Sequence, residues 1–152
     1  MELYIGTKEL TAEPLQLGPY NEKRGWTLPE NGDYTREGYF IEYPDGYQSW
    51  SPREIFEASY QKMDAMNFGN AIHFLKQGRK LTRKGWNGKG QFIYLVPAAK
   101  YAAQTGAAKS HFGEEAFIPY NAYLAIKGVD NTVSTWVPSV TDVLAEDWSI
   151  VL

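Results

Sequence analysis

Short apolar runs along the chain are separated by glycine, proline and Asx-rich punctuation. Residues 3–15 read as a β-like stretch interrupted by Pro14, followed by a loop rich in Gly, Pro and Asn. Residues 38–43 and 47–50 flank Pro44-Asp45-Gly46, and Asp-Gly between two β-rich runs predicts a hairpin. Ser51-Pro52-Arg53-Glu54 has the form of a capping box with proline at the first helical position. The spacing of Ile55, Phe56 and Tyr60 then predicts a helix to about Lys62.

Beyond that point Asn67 is the expected N-cap of a helix whose Phe68, Ala71, Ile72 and Leu75 share a face and which Gly78 stops. Residues 80–86 and 89–96 are predicted strands joined by Asn87-Gly88, the preferred pair of a two-residue type I′ turn. Such a turn sets Trp86 opposite Lys89, Gly85 opposite Gly90, Lys84 opposite Gln91 and Arg83 opposite Phe92. Residues 97–117 are Ala-rich without a period, and read as a long loop with room for a short helix. Residues 120–127 and 132–136 form a further hairpin around Val129-Asp130-Asn131. Ser139-Val140-Thr141-Asp142 is a second capping box opening a short helix through Leu144 and Ala145, and residues 148–152 are a last strand. The fold class expected is α+β, an antiparallel sheet with short helices in two small modules, 1–64 and 65–152. One echo links them: strand, turn, strand, Trp-x-Pro and short helix occur around both Trp50-Pro52 and Trp136-Pro138.

Charge sharpens the division. The net charge of the 152 residues is −3. Residues 1–64 hold six basic and twelve acidic side chains, whereas residues 65–152 hold nine basic and six acidic. No Asp or Glu lies between Asp64 and Glu114, while Lys76, Arg79, Lys80, Arg83, Lys84 and Lys89 crowd into fourteen residues. A local field that attracts a small anion is expected there. The overall acidity, with no RNA-binding or helix-turn-helix signature, argues against nucleic acid as partner. With no cysteine, and only His73 and His111 as imidazoles, neither a disulfide framework nor a structural zinc site is expected. No apolar run reaches the length of a membrane span and no signal peptide is seen, so a cytoplasmic protein is expected.

Enzyme signatures are mostly missing. There is no nucleophile elbow, Walker loop or His-Glu-x-x-His, and Gly85-Trp-Asn-Gly88-Lys-Gly90 precedes a strand rather than a helix. Asp142, Glu146 and Asp147 could act as acid/base groups or metal ligands, but residues so placed more often cap a helix in solvent. The 80–96 hairpin offers two readings: glycines easing twist beside a core Trp86, or a surface where Arg83 or Lys84 meets phosphate and an aromatic stacks a base. Trp136 likewise is either a buried strand residue or a stacking face beside the Ser139 helix N-terminus.

Three segments carry a resemblance. Residues 66–78 (Met-Asn-Phe-Gly-Asn-Ala-Ile-His-Phe-Leu-Lys-Gln-Gly), residues 83–90 (Arg-Lys-Gly-Trp-Asn-Gly-Lys-Gly) and residues 136–148 together resemble the phage Thoeris anti-defence two family. Residues 49–56, Ser-Trp-Ser-Pro-x-Glu-x-Phe, resemble the end of a separate short phage module. The resemblance implies a non-catalytic sponge in the cytoplasm of an infected or lysogenic bacterium. Such a sponge sequesters a cyclic nucleotide immune signal, chiefly glycocyclic ADP-ribose, at the subunit interfaces of a homotetramer, with no cofactor. Some members are thought to take cyclic dinucleotides at a further site. Matching positions are Asn67, Phe68, Trp86, Asn87, Trp136, Ser139 and Asp142. On this reading Trp86 and Trp136 stack adenine, Asn87 and Asp142 meet ribose hydroxyls or base edges, and Arg83 or Lys84 meets pyrophosphate. Pro138 and Val140 stand where the family motif usually has Ala and Gln. An enzyme cleaving such a signal and a phage interaction protein are the alternatives.

Overall fold

A computed structural model describes residues 1–27 and 29–152. The chain divides into two compact units, Met1–Gln61 and Lys62–Leu152.

In the first unit, β1 (Thr11–Pro14), α1 (Leu17–Arg24), β2 (Gly38–Glu42), β3 (Gln48–Pro52) and α2 (Arg53–Ser59) follow in order. The strands form an antiparallel sheet ordered β1-β2-β3. The Asp45-Gly46 hairpin forms as expected, with Gly46 at φ 82° and Asp45 Oδ1 accepting the Tyr47 N–H. Three expectations are corrected. The β-like stretch shrinks to four residues, because residues 1–10 carry no strand and are almost all exposed. The supposed loop contains α1, whose Gly18 lies so close to Tyr34 that a Cβ would sit 2.9 Å from the Tyr34 carbonyl oxygen. That helix ends on Gly25 in the left-handed region, with Lys23 and Arg24 in the last turn. Finally, Ser51 does not cap α2. It belongs to β3, its hydroxyl lies 3.4 Å from the Pro52 carbonyl, and Pro52 itself is the N-cap, so the box cannot close.

The second unit runs α3 (Phe68–Lys76), β4 (Lys80–Arg83), β5 (Phe92–Val96), β6 (Ala99–Ala102), α4 (Gly106–Phe112), β7 (Phe117–Tyr120), β8 (Tyr123–Lys127), β9 (Val133–Thr135), α5 (Val140–Val143) and β10 (Trp148–Val151). Five strands form an antiparallel sheet ordered β10-β4-β5-β8-β9. Asn67 caps α3 by accepting the Asn70 N–H, and Gly78 lies at φ 83° where the chain leaves the helix. Met66, Ala71, Phe74, Leu75, Leu81, Ile93, Ala145 and Trp148 form the core between helix and sheet. Fixed by that core, β4 and β5 pair in a register one residue away from the expected one, with Leu81 opposite Ile93. Both side chains are fully buried, and the two-residue turn would have set Tyr94 opposite Leu81 instead, turning Ile93 to the other face. A type I′ turn also needs positive φ at both central residues, and neither Asn87 nor Gly88 has it; Gly90 does, at 74°. The paired-glycine patch is therefore absent, and residues 84–91 form a broad loop.

Residues 97–117 hold the short helix there was room for, α4, capped by Thr105, but the rest is a hairpin rather than a loop, with β6 and β7 paired along Ala99 to Ala102. The β8–β9 hairpin and the Ser139 capping box form as predicted. No helix among the described residues is long and apolar enough to cross a membrane.

Candidate functional site

Three tryptophans converge, although Trp148 and Trp136 come from the two edge strands of the five-stranded sheet. Trp148 opens β10 and is fully buried. Trp86 follows β4, and Trp136 follows β9, where its N–H continues the ladder to the Leu124 carbonyl at 2.7 Å. Trp86 lies 5.4 Å from Trp148 and 6.1 Å from Trp136, and Trp136 lies 6.1 Å from Trp148, each pair edge-on. Edge-to-face contact at these separations stabilises the cluster beyond its buried area.

A polar frame fixes the cluster from behind. Asp142 Oδ1 accepts from Arg83 Nη1 at 2.8 Å and from the Trp86 indole N–H at 3.1 Å. Its other oxygen closes the capping box on Ser139, accepting from the backbone N–H at 3.0 Å and the hydroxyl at 2.7 Å. The Asp142 backbone carbonyl accepts the Trp148 indole N–H at 3.0 Å. Asp147 accepts from Arg83 Nε at 2.8 Å and from the Gly85 N–H at 2.7 Å. Burial pushes the Asp142 carboxyl up, but hydrogen bonds from Ser139, Arg83 and Trp86 outweigh it and bring the group down to about 2. Asp147 is lowered chiefly by the Arg83 hydrogen bond, and Arg83 is raised chiefly by Asp147. With both carboxylates this firmly charged and paired, the expectation of a solvated acidic cluster is corrected for Asp142 and Asp147.

In front of the frame lies an open pocket of about 450 Å³ lined by Trp86, Asn87, Gly88, Gln91, Ile126 and Trp136. That size suits a small organic ligand. Its composition, two indoles with two carboxamides, fits a flat heteroaromatic group whose edge carries donors and acceptors.

Residues 66–151 match the Thoeris anti-defense 2-like domain. The chain belongs to this family. A curated relative, Thoeris anti-defense 2 of Bacillus phage SP01, is 46% identical over 87 residues, taking in 57% of this chain and 94% of the relative. Every residue of the pocket and of its polar frame falls inside the Thoeris anti-defense 2-like domain.

Within that domain the candidate residues separate into two groups. Trp86, Asn87 and Trp136 meet at the pocket. Arg83, Ser139 and Asp142 lie behind it, and their polar atoms are engaged with one another. Asn67 and Phe68 stand at the start of α3, where Asn67 caps the helix and Phe68 packs 5.5 Å from Trp148 and 6.4 Å from Trp136. Lys84 is exposed, with its ammonium 3.4 Å from Asp64. Gln91, Gly88 and Ile126 were not among the expected site residues. The signal for Gln91 was present, a lone carboxamide between Gly90 and the apolar run of β5. Among the described residues no cluster of three or more His, Cys, Asp or Glu could hold a metal ion.

Proposed function

We propose that this anti-defence protein binds and holds a cyclic ADP-ribose-type signal, glycocyclic ADP-ribose, at the Trp86–Trp136 pocket without turning it over, so that the Thoeris effector is starved. The observation that carries the reading is a pair of packed indoles, Trp86 pinned by Asp142, facing an open pocket of nucleotide-base chemistry. None of the six lining residues offers a titratable acid or base, and the nearby Ser139 hydroxyl and Asp142 carboxylate are bound to each other. Such a wall stacks and orients a base but supplies no group for proton transfer. Adenine stacks on the face of one indole and meets the other, steeply inclined to it, at its edge, Asn87 reaches a ribose hydroxyl or base edge, and the charged frame of Arg83, Asp142 and Asp147 holds the wall in place. The protein acts in the cytoplasm of the infected host.

The protein also assembles with copies of itself, as a tetramer. Val137, Val140 and Leu144 lie 84%, 75% and 75% exposed around α5, an apolar patch that self-association would cover. Light scattering on the purified chain checks this: a tetramer mass is expected, and a monomer refutes it.

One experiment decides the ligand reading. The protein is mixed with glycocyclic ADP-ribose, freed of unbound ligand and heat-denatured, and the released material is analysed. Intact signal is the expected result. A cleaved product assigns an enzyme instead, and nothing released leaves a protein that acts through macromolecular contacts.

A further inference from the structure

Gln91 is held at its backbone and free at its side chain. Its carbonyl accepts the Thr82 hydroxyl at 2.8 Å, and its N–H reaches the Gly88 carbonyl at 3.4 Å. The carboxamide lies folded over Gly88: a Cβ built there would meet Gln91 Oε1 at 2.0 Å and Cδ at 2.2 Å. Gly88 does not occupy the left-handed region, so the glycine provides space there rather than an unusual backbone conformation. Among the described residues this half-buried carboxamide makes no hydrogen bond, although it lines the pocket together with Trp86 and Trp136. By contrast, both carboxylate oxygens of Asp142, one layer behind, are fully engaged.

We infer that Gln91 is the specificity-determining residue of the pocket, reading the amino-bearing edge of a stacked adenine. The inference rests on the ligand site proposed above. A carboxamide offers one acceptor and a donor pair on a rigid plane. The 6-amino group of adenine lies beside a ring-nitrogen acceptor on either flank, so a glutamine side chain can meet that edge with two parallel hydrogen bonds. Stacking alone is tolerant of the base, because every base has a π-face. Selectivity in a pocket with two indole walls must therefore come from its carboxamides, and Gln91 is the one that Gly88 makes room for.

The test is a double-mutant cycle across protein and ligand. Affinities for glycocyclic ADP-ribose, and for its analogue lacking the 6-amino group, are measured by titration calorimetry on the wild type, Gln91→Leu and Gly88→Ala. The wild type is expected to prefer the amino-bearing ligand by roughly tenfold or more. Gln91→Leu should bind the two ligands with affinities within about twofold, the residual expected when the coupled partner is gone. Gly88→Ala should do the same, because its methyl group displaces a flexible side-chain end and leaves the backbone alone. Melting temperatures confirm that each variant folds, and if Gln91→Leu does not, Gly88→Ala and Gln91→Met carry the comparison. A preference that survives in these variants overturns the inference. So does a wild type that binds both ligands equally, which leaves the pocket reading intact. A wild type that binds neither ligand overturns both.

Discussion

The Trp86 indole N–H donates to the Asp142 Oδ1 that also receives the Arg83 guanidinium. One carboxylate oxygen thereby ties a pocket wall to the charged frame, and the orientation of that wall becomes a property of the frame. Asp142→Asn keeps the size of the side chain but leaves Arg83 with one carboxylate and weakens the cap of α5. Removing one partner of a buried pair costs about 3–5 kcal/mol. With Arg83 and Asp142 side chains only 12% and 11% exposed, the loss should approach the lower end of that range. Urea unfolding followed by tryptophan emission measures it.

Acid should act on the same group. The folded Asp142 carboxyl titrates at about 2 against an ordinary value of 3.8. A lowered folded value means that its stabilisation is complete above the ordinary value and is lost as pH falls from there through about 2. The shift corresponds to about 2 kcal/mol. Asp147, lowered too, changes stability in the same direction. Unfolding midpoints compared at pH 7 and pH 3 should fall with acid in the wild type and fall less in Asp142→Asn.

On the proposed ligand reading, Trp136→Ala removes one stacking wall. Base–aromatic stacking contributes about 1–3 kcal/mol, so affinity for the adenine nucleotide should drop by roughly 5- to 150-fold. Trp136→Phe, which retains a flat face, should recover part of it. Unchanged affinity in Trp136→Ala would take this residue out of the site.

Asp147→Asn tests the loop. The carboxylate holds the Gly85 N–H, and the Asp147 carbonyl accepts from the Lys84 N–H at 3.3 Å. Faster hydrogen exchange at the Gly85 amide is expected, with weaker ligand binding and little change at α3.

Gly38→Ala addresses the first unit. A Cβ on Gly38 would lie 2.2 Å from the Trp50 ring and 2.4 Å from the Ser51 carbonyl, while Trp50 is itself tied to the Leu15 carbonyl at 2.7 Å. Overpacking of this kind costs about 1–3 kcal/mol. A lower melting temperature, with ligand binding retained, is the expected outcome.

What the sequence disclosed depends on how far away the deciding partner lies. The Ser139–Asp142 box and the Asp45-Gly46 turn are settled within four residues, and both are legible. The 80–96 hairpin is not, because its loop is held by Asp147, more than sixty residues away from Gly85. Asn87-Gly88 satisfies a local rule that the burial of Leu81 and Ile93 overrides. Helix α1 escaped notice for a related reason. Leu-Gly-Pro-Tyr-Asn-Glu-Lys-Arg has no apolar period, and its place depends on distant partners, the approach of Tyr34 to Gly18 and of Phe40 to the buried Tyr20. The basic run was visible, but its partners were not. Sequence patterning offers Arg83 or Lys84 to a phosphate, and folding places Arg83 between two carboxylates.

That placement has a kinetic consequence. Arg83, Asp142 and Asp147 together carry one negative charge, so the wall behind the indoles offers no attraction to an incoming anion. The positive charge of the second unit resides instead on side chains such as Lys76, Arg79 and Lys89, which are exposed to solvent. Charges in that position steer a phosphate-bearing ligand from a distance and are screened over about 8 Å at cellular ionic strength. On the proposed ligand reading, added salt should therefore slow capture while leaving residence time nearly unchanged, because that reading holds the base by flat contact rather than by charge.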